Sequence, residues 1–204
     1  MKKLLITGIV TIGVAIGAFG QGAISLNNGA ANNGITLDTA GNWFSGTYGL
    51  EVWVLNSSSQ VGNINGFAGL DAFTAYNNMI ADGFTKQATF LNQTITAANA
   101  GIIQLGTVNM AGVSPAGGTV NIALVAWLGS GNSFLAAQKG GVIAFVNATS
   151  DYTIAPPNTP LPSTITAGWN AINKDLILSI VPEPSSFALA GLGLASLLAF
   201  RRRS

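Results

Sequence analysis

The sequence predicts an all-β fold, a two-sheet antiparallel β-sandwich of jelly-roll-like type with one short helical insertion. Three observations lead to this prediction. The apolar segments are short, clusters of Gly, Asn and Ser separate them, and a single segment follows helical spacing. The chain contains no cysteine, so burial of apolar side chains must stabilise the fold without disulfide bonds.

The strands are predicted from the alternation of apolar and polar residues. They are expected at residues 23–27, 35–37, 47–55, 86–96, 101–108, 119–128, 142–147 and 176–181. Alternation in the third strand places Tyr48 and Leu50 on one face and Glu51 and Trp53 on the other. The second half of 119–128 is apolar on both faces, which is typical of a central strand that is covered on both sides.

One segment departs from the strand period. Its large apolar residues recur at three- and four-residue spacing: Leu70, Phe73, Tyr76, Ile80 and Phe84. This spacing predicts a short amphipathic helix within residues 69–83, with Asp71 in its first turn. Residues 151–163 carry four prolines and are predicted as a long extended loop, because strand-like sequence resumes after them.

The charge balance changes when the two terminal segments, 1–20 and 182–204, are set aside. Of the 8 basic residues, Lys2, Lys3 and three C-terminal arginines lie in these segments, and of the 7 acidic residues only Glu183 does. The 3 basic and 6 acidic residues that are left give residues 21–181 a net charge of −3. No basic patch is available for nucleic acid, so a nucleic-acid partner is not expected.

Few residues are suited to catalysis or metal binding. The chain has no histidine, which removes the commonest general base and transition-metal ligand, and no lysine stands in a Ser-x-x-Lys setting. Calcium-binding loops rich in Asp are also missing from the sequence. The sequence therefore predicts a non-enzymatic protein without catalytic residues, metal or cofactor. The weaker alternative is a glycan hydrolase with a carboxylate pair drawn from Asp38, Glu51, Asp71, Asp82, Asp151 and Asp175.

Two tryptophans, Trp43 and Trp169, lie in polar surroundings that contain glycine. An exposed indole can stack on the apolar face of a sugar ring, while neighbouring amides bond its hydroxyl groups. These two residues are therefore the candidates for sugar stacking. The alternative, which the sequence favours, is that both rings cap the ends of the sandwich core, where large rings bury well.

The amino terminus has the layout of a signal peptide. Lys2 and Lys3 precede an uncharged apolar run at residues 4–19, and small residues stand at the −3 and −1 positions of a cleavage site between Gly20 and Gln21. The alternative is an uncleaved helix, but the many Gly and Ala residues of this run would make a poor permanent span.

The carboxyl terminus combines three features in order. Val181, Pro182, Glu183, Pro184 and Ser185 form a proline-rich motif, an uncharged apolar stretch follows at residues 187–200, and three arginines end the chain. As a helix, 187–200 would be about 21 Å long against a hydrocarbon core of about 30 Å, a marginal transmembrane helix. Arg201, Arg202 and Arg203 would hold the tail on the cytoplasmic side, which leaves the chain before Pro182 outside the membrane.

This arrangement resembles the PEP-CTERM sorting signal of Gram-negative bacteria, with Val181 to Ser185 in the motif positions. The resemblance implies recognition by exosortase, a membrane-embedded cysteine protease or transpeptidase. It also implies an exported protein of biofilm-forming bacteria that produce polysaccharide. A permanent tail anchor is the alternative.

Three segments follow from these features: a signal peptide (1–20), an exported β-sandwich domain (21–181) and a sorting signal (182–204). The expected function is that of a non-enzymatic cell-surface or extracellular-matrix protein, exported by the Sec machinery and processed by exosortase. It would be anchored transiently in the inner membrane and then reach the cell surface or the medium, in association with exopolysaccharide or biofilm. The alternative function is a carbohydrate-binding module that docks on exopolysaccharide.

Overall fold

The computed structural model of this protein describes residues 22–29, 32–38, 41–56, 71–113, 118–151, 163–181 and 192. The predicted signal peptide and its cleavage site at Gly20 and Gln21 lie outside the described residues. The predicted transmembrane helix at 187–200 does as well, apart from one residue. Among the described residues, none of the helices has the length and apolar character needed to span a membrane.

Eleven strands and two α-helices make up the described part of the chain. The strands are β1 (Gly22–Asn27), β2 (Ile35–Thr36), β3 (Gly46–Leu55), β4 (Thr85–Ile95), β5 (Gln104–Met110), β6 (Thr119–Leu128), β7 (Lys139–Ala148), β8 (Ser150–Asp151), β9 (Ser163–Thr164), β10 (Leu176–Ile177) and β11 (Ser179–Ile180). The helices are α1 (Ala72–Ala81) and α2 (Thr166–Ile172), and two short 3-10 helices lie at Ala97–Asn99 and Phe134–Ala136. The all-β class is thereby confirmed.

The described strands form three sheets. The largest is five-stranded and antiparallel, in the order β11-β7-β6-β3-β4. A four-stranded sheet has the order β5-β1-β8, with β9 paired in parallel to β1, and β10 pairs in parallel with β2. The prediction of a two-sheet antiparallel, jelly-roll-like sandwich was therefore wrong in the number of sheets and in the direction of two strand pairs. The two parallel pairs involve two-residue strands, whose direction depends on the path of the returning chain and not on any residue pattern.

A first hydrophobic core fills the space between the five-stranded and the four-stranded sheets. Alternate residues of β1, β3, β5, β6 and β7 point into it. Its members from β3, β6 and β7 include Tyr48, Leu50, Val52, Val120, Ile122, Leu124, Ile143 and Phe145. The predicted division of faces in β3 is confirmed, since Tyr48 and Leu50 lie in this core whereas Trp53 packs on the opposite side.

A second hydrophobic core covers the outer face of the five-stranded sheet. Helix α1 contributes Ala72, Ala75 and Met79, which pack with Val125 and Trp127 of β6. Strand β6 lies between β3 and β7 and is buried on both faces from Val120 to Trp127. The prediction of a central strand at 119–128 is therefore confirmed, and the two-sided apolar pattern of β6 follows from the two cores.

The predicted helix within 69–83 is confirmed as α1, but Asp71 is its N-cap and not a first-turn residue. Helix α2 was not predicted, so the expectation of a single helical insertion was wrong. Its seven residues have no side-chain N-cap hydrogen bond, and their stability comes from tertiary packing. Gly168 lies against strand β7 so closely that a Cβ there would collide with the Val146 carbonyl oxygen, and Trp169 is fully buried.

Candidate functional site

The last two strands of the described domain, β10 and β11, pair with strands of two different sheets. The amide of Leu176 donates to the Gly34 carbonyl at 2.9 Å, and the amide of Leu178 donates to the Thr36 carbonyl at the same distance. The chain then crosses to the five-stranded sheet, where β11 pairs antiparallel with β7 and becomes its edge strand. Leu176 and Leu178 belong to the first core, so this segment is an integral part of the fold.

Two glycines of β7 create the room for this segment. A Cβ at Gly141 would collide with the Ile177 carbonyl oxygen, and a Cβ at Gly140 would lie 2.5 Å from the Phe134 ring. Real Cβ atoms do not tolerate such contacts. Glycine at both positions therefore allows the last strands to approach β7 from one side and Phe134 from the other.

Val181 completes the second core. Its side chain is 2% exposed and belongs to the cluster that contains Trp127, Phe134 and Val142. Its amide donates to the Gln138 carbonyl at 3.0 Å. Burial of a valine side chain contributes about 1.5–3 kcal/mol, and the hydrogen bond adds about 1 kcal/mol. Val181 is therefore fixed by both its side chain and its backbone.

The other residues of the predicted sorting motif, Pro182 to Ser185, lie outside the described residues, as do Arg201, Arg202 and Arg203. Val181 immediately precedes Pro182, so no spacer separates the hydrophobic core from the proline-rich motif. Val181 lies both in the last predicted strand and in the predicted motif, but its burial in the core was not predicted. The adjacent glycines at 140 and 141 are the sequence signal for this close packing, which was not predicted.

Trp169 does not lie at the surface. It is 0% exposed, its ring stacks on Phe145 with a centroid distance of 5.8 Å, and its Nε1 donates to the Lys174 carbonyl at 2.8 Å. A sugar cannot reach this ring in the folded domain. The candidate role of Trp169 in sugar stacking was therefore wrong, and the alternative that it caps the core is correct.

Trp43, in contrast, is 46% exposed. Its six-membered ring packs against Gly101 so closely that a Cβ at position 101 would overlap the ring. The ring also packs against Gly34, where a Cβ would lie 3.0 Å from it. Beside it, the Asn42 side-chain amide donates to the Asp38 carboxylate at 2.6 Å. The structure thus provides one exposed indole, held by two glycines and close in sequence to polar side chains.

The buried carboxylate of Glu51 already has two partners. Its Oε2 accepts a hydrogen bond from Trp53 Nε1 at 2.9 Å, and its Oε1 forms an ion pair with Lys86 Nζ at 3.2 Å. The Lys86 ammonium also lies 5.6 Å from the Trp53 ring centroid. Burial and, to a lesser extent, the charge of Glu51 raise the pKa of Tyr76. This arrangement stabilises the contact between β3, β4 and α1.

The acidic residue at 71 likewise has a structural role. Asp71 caps helix α1 by accepting hydrogen bonds from the backbone amide and the hydroxyl of Thr74 at 2.8 and 2.9 Å. The bond from the Thr74 amide is the main reason that the pKa of Asp71 is lowered. Across the described part of the chain, no three Asp or Glu residues converge in a way that could hold a metal ion.

Comparison with known proteins identifies the carboxyl-terminal segment. Residues 181–203 match a protein-family model described as the PEP-CTERM protein-sorting motif. No curated protein and no solved structure matches the chain. The matched segment begins at Val181, the last member of the second core among the described residues.

Proposed function

We propose that this chain, which carries a PEP-CTERM sorting motif, is a non-enzymatic protein of the cell surface or extracellular matrix in a bacterium that makes exopolysaccharide. The motif marks it as a secreted protein that is sorted and processed by exosortase after a transient stay in the membrane. The Sec machinery would export it through the signal peptide at 1–20. Exosortase would then separate the β domain from its anchor.

One observation carries this proposal: the matched signal starts at Val181, the last core residue in the described part of the chain. Among the described residues, the members of both cores end at Val181, which supports a folded domain that precedes Pro182. Removal of the tail would leave both cores intact. This division of the chain suits a domain that folds after export and is then released from its anchor.

A structural role is supported by the use of the acidic residues. Glu51 is held by Trp53 and Lys86, and Asp71 caps a helix, so each has a partner that explains its position. A glycan-hydrolysis assay on the purified protein tests the non-enzymatic assignment. Hydrolysis that is lost on a single carboxylate substitution would contradict it.

Mass determination of the released protein tests the sorting proposal. The chain is expressed in a host with exosortase and in the same host without it. With exosortase, the released form should lack Arg201, Arg202 and Arg203, since these residues end the sorting signal. In the host without exosortase, the full tail should persist in the membrane fraction. A released protein that keeps the arginines would contradict exosortase processing.

A second function, binding of the domain to exopolysaccharide, is favoured by the position of Trp43. The ring is nearly half exposed and rests on Gly34 and Gly101, so it is already ordered before a sugar binds. Such preorganisation reduces the entropy cost of binding. Because Trp169 is buried, Trp43 alone of the two candidate tryptophans could stack on a sugar.

Retention of the protein on immobilised native polysaccharide tests this second function. Trp43→Ala should elute early, whereas Trp43→Tyr should retain binding because an aromatic face persists. Leu91→Ala is the matched control, since Leu91 is an exposed large apolar residue on strand β4. Thermal unfolding of each variant shows whether the domain is still folded. Equal retention of all four proteins would exclude Trp43 as a stacking platform.

A further inference from the structure

Val181 belongs to two parts of the protein at once. It is the first residue of the matched sorting motif, and it is also a member of the second core. Its neighbour Ile180 is 71% exposed, so the burial of Val181 is a feature of this residue and not of the whole segment. An enzyme that reads the motif from its first residue would therefore compete with the fold for the same side chain.

A processing enzyme binds its substrate as an extended peptide whose backbone groups and side chains are accessible. Val181 offers neither, because its amide is bonded to the Gln138 carbonyl and its side chain is 2% exposed. Binding of Val181 in an active site would require β11 to detach from β7 and the side chain to leave the core. Of the motif residues, Val181 alone lies in the described part of the chain, and both constraints apply to it.

We propose that Val181 stays in the folded domain during processing, so that exosortase binds the chain from Pro182 onwards and cleaves a peptide bond after Pro182. This proposal rests on the proposed sorting by exosortase. At the scissile bond the C–N bond breaks, and the carbonyl carbon accepts the oxygen of water or the nitrogen of an amine acceptor. The leaving nitrogen takes up the proton that this nucleophile loses. The Val181–Pro182 bond is excluded because its cleavage would place Val181 in the active site.

The retained residue also positions the motif. Because Val181 is fixed in the core and Pro182 follows directly, the motif emerges from a defined point beside β7. Proline has a restricted φ and donates no backbone hydrogen bond, so the chain cannot extend the pairing of β11 with β7 at this residue. The end of the core thus sets where the peptide available to the enzyme begins.

The first test identifies the carboxyl-terminal peptide of the released wild-type protein by mass spectrometry. The peptide should contain Val181 and Pro182. A released protein that ends at or before Val181 would overturn the proposal while leaving exosortase processing intact. If no exosortase-dependent release occurs, both the proposed function and this inference fail, so the two failures are distinguishable.

The second test separates the role of Val181 in the core from any role in recognition. One variant carries Gly-Ser inserted between Val181 and Pro182, which leaves Val181 in place but removes it from the motif. The matched control carries Gly-Ser-Val at the same point, which restores a valine directly before the proline. Both insertions follow the last described core residue, and their thermal unfolding should match that of the wild-type domain.

Exosortase should release both insertion variants at the wild-type rate, because the enzyme binds from the proline onwards. If the Gly-Ser variant is not released but the Gly-Ser-Val variant is, the enzyme recognises the valine before the proline. This result would overturn the proposal. Loss of release with both insertions would show that the enzyme depends on the direct junction of Val181 and Pro182, and this result would also overturn the proposal.

Discussion

At the scale of single residues, glycines determine where the largest side chains can lie. Gly49 of β3 is directly opposite Trp127 of β6, and a Cβ at position 49 would overlap the indole ring. The indole Nε1 donates to the Gly131 carbonyl at 2.7 Å, which fixes the ring over Gly49. A glycine in the middle of a strand costs some stability, and here it allows a fully buried tryptophan in the second core.

Gly49→Ala should therefore destabilise the domain by about 1–3 kcal/mol, because the added methyl group forces the ring of Trp127 to move. Chemical denaturation monitored by tryptophan fluorescence measures this loss. Gly131→Ala is the control, since its Cβ would lie 3.9 Å from Trp127 Nε1, an ordinary contact. Equal stability of the two variants would contradict the role assigned to Gly49.

Tyr48 makes the stability of the domain depend on pH in the alkaline range. Burial raises the pKa of its hydroxyl from the ordinary value of 10.0 to about 12. The folded state thus holds this proton more tightly than the unfolded state. The contribution of the protonated Tyr48 hydroxyl to stability is complete below pH 10. As the pH rises from 10 towards 12, this contribution to the free energy of unfolding falls by about 1.4 kcal/mol per pH unit.

Urea denaturation at a series of pH values from 8 to 12 tests this dependence. The wild-type protein should lose stability steeply above pH 10, and Tyr48→Phe should lose less over the same range. Tyr76→Phe provides the comparison, since the pKa of Tyr76 is also raised by burial but this side chain is only partly buried. A Tyr48→Phe variant that loses stability as steeply as the wild type would contradict the assignment.

At the scale of elements, the two helices owe their stability to different sources. Helix α1 has a sequence signal at its start, since Asp71 accepts a hydrogen bond from the Thr74 amide, and three of its residues are buried in the second core. Helix α2 has no side-chain cap and depends on the stacking of Trp169 on Phe145. The first helix was therefore visible in the sequence, whereas the second becomes stable only through contacts with β7.

Asp71→Ala should destabilise the domain by about 1 kcal/mol, since the N-cap hydrogen bond is lost, while Asp71→Asn should retain most of the stability. Hydrogen bonds from Thr74 lower the pKa of Asp71. Its charged form therefore stabilises the fold above the ordinary carboxyl pKa, and this contribution disappears as the pH falls through the lowered value. The difference between Asp71→Ala and the wild type should accordingly shrink in acid. A constant difference in thermal unfolding from pH 7 to pH 2 would contradict the capping role.

At the scale of the whole molecule, the five-stranded sheet is the central layer, and the two hydrophobic cores pack on its two faces. The first core and the four-stranded sheet cover one face, and the second core with helix α1 covers the other. The chain returns to this sheet at its end, where β11 pairs with β7 and Val181 enters the second core. Val181 is therefore the last core residue in the described part of the chain.

Truncation should locate the carboxyl boundary of the folded domain. Proteins that begin at Gln21 and end at Ser186 or at Val181 should unfold at the same temperature, because both retain the complete second core. A protein that ends at Leu178 loses β11 and the buried valine, at a cost of about 3 kcal/mol. Differential scanning calorimetry of the three proteins measures the effect. Equal melting temperatures for all three would show that β11 and Val181 do not stabilise the domain.

Much of this molecule followed from local patterns in the sequence. The alternation in 47–55 and the two-sided apolar run in 119–128 predicted β3 and β6 within one residue at each end. The spacing of apolar residues around Tyr76 predicted helix α1, and the order of motif, apolar stretch and arginines identified the sorting signal. These features depend on neighbours along the chain, so the sequence alone contains the necessary information.

Other features were decided by contacts between distant parts of the chain. The parallel pairs β1–β9 and β2–β10, the helix at Thr166–Ile172 and the burial of Trp169 all require partners that are far away in sequence. The same holds for Val181, which the sequence placed in both the last predicted strand and the motif, and which tertiary packing placed in the second core. The sequence by itself determined the class of fold, the long strands and the sorting route, because local periodicity and residue order encode them. Only the tertiary structure decided which tryptophan is exposed and where the core ends, because burial depends on which surfaces meet after folding.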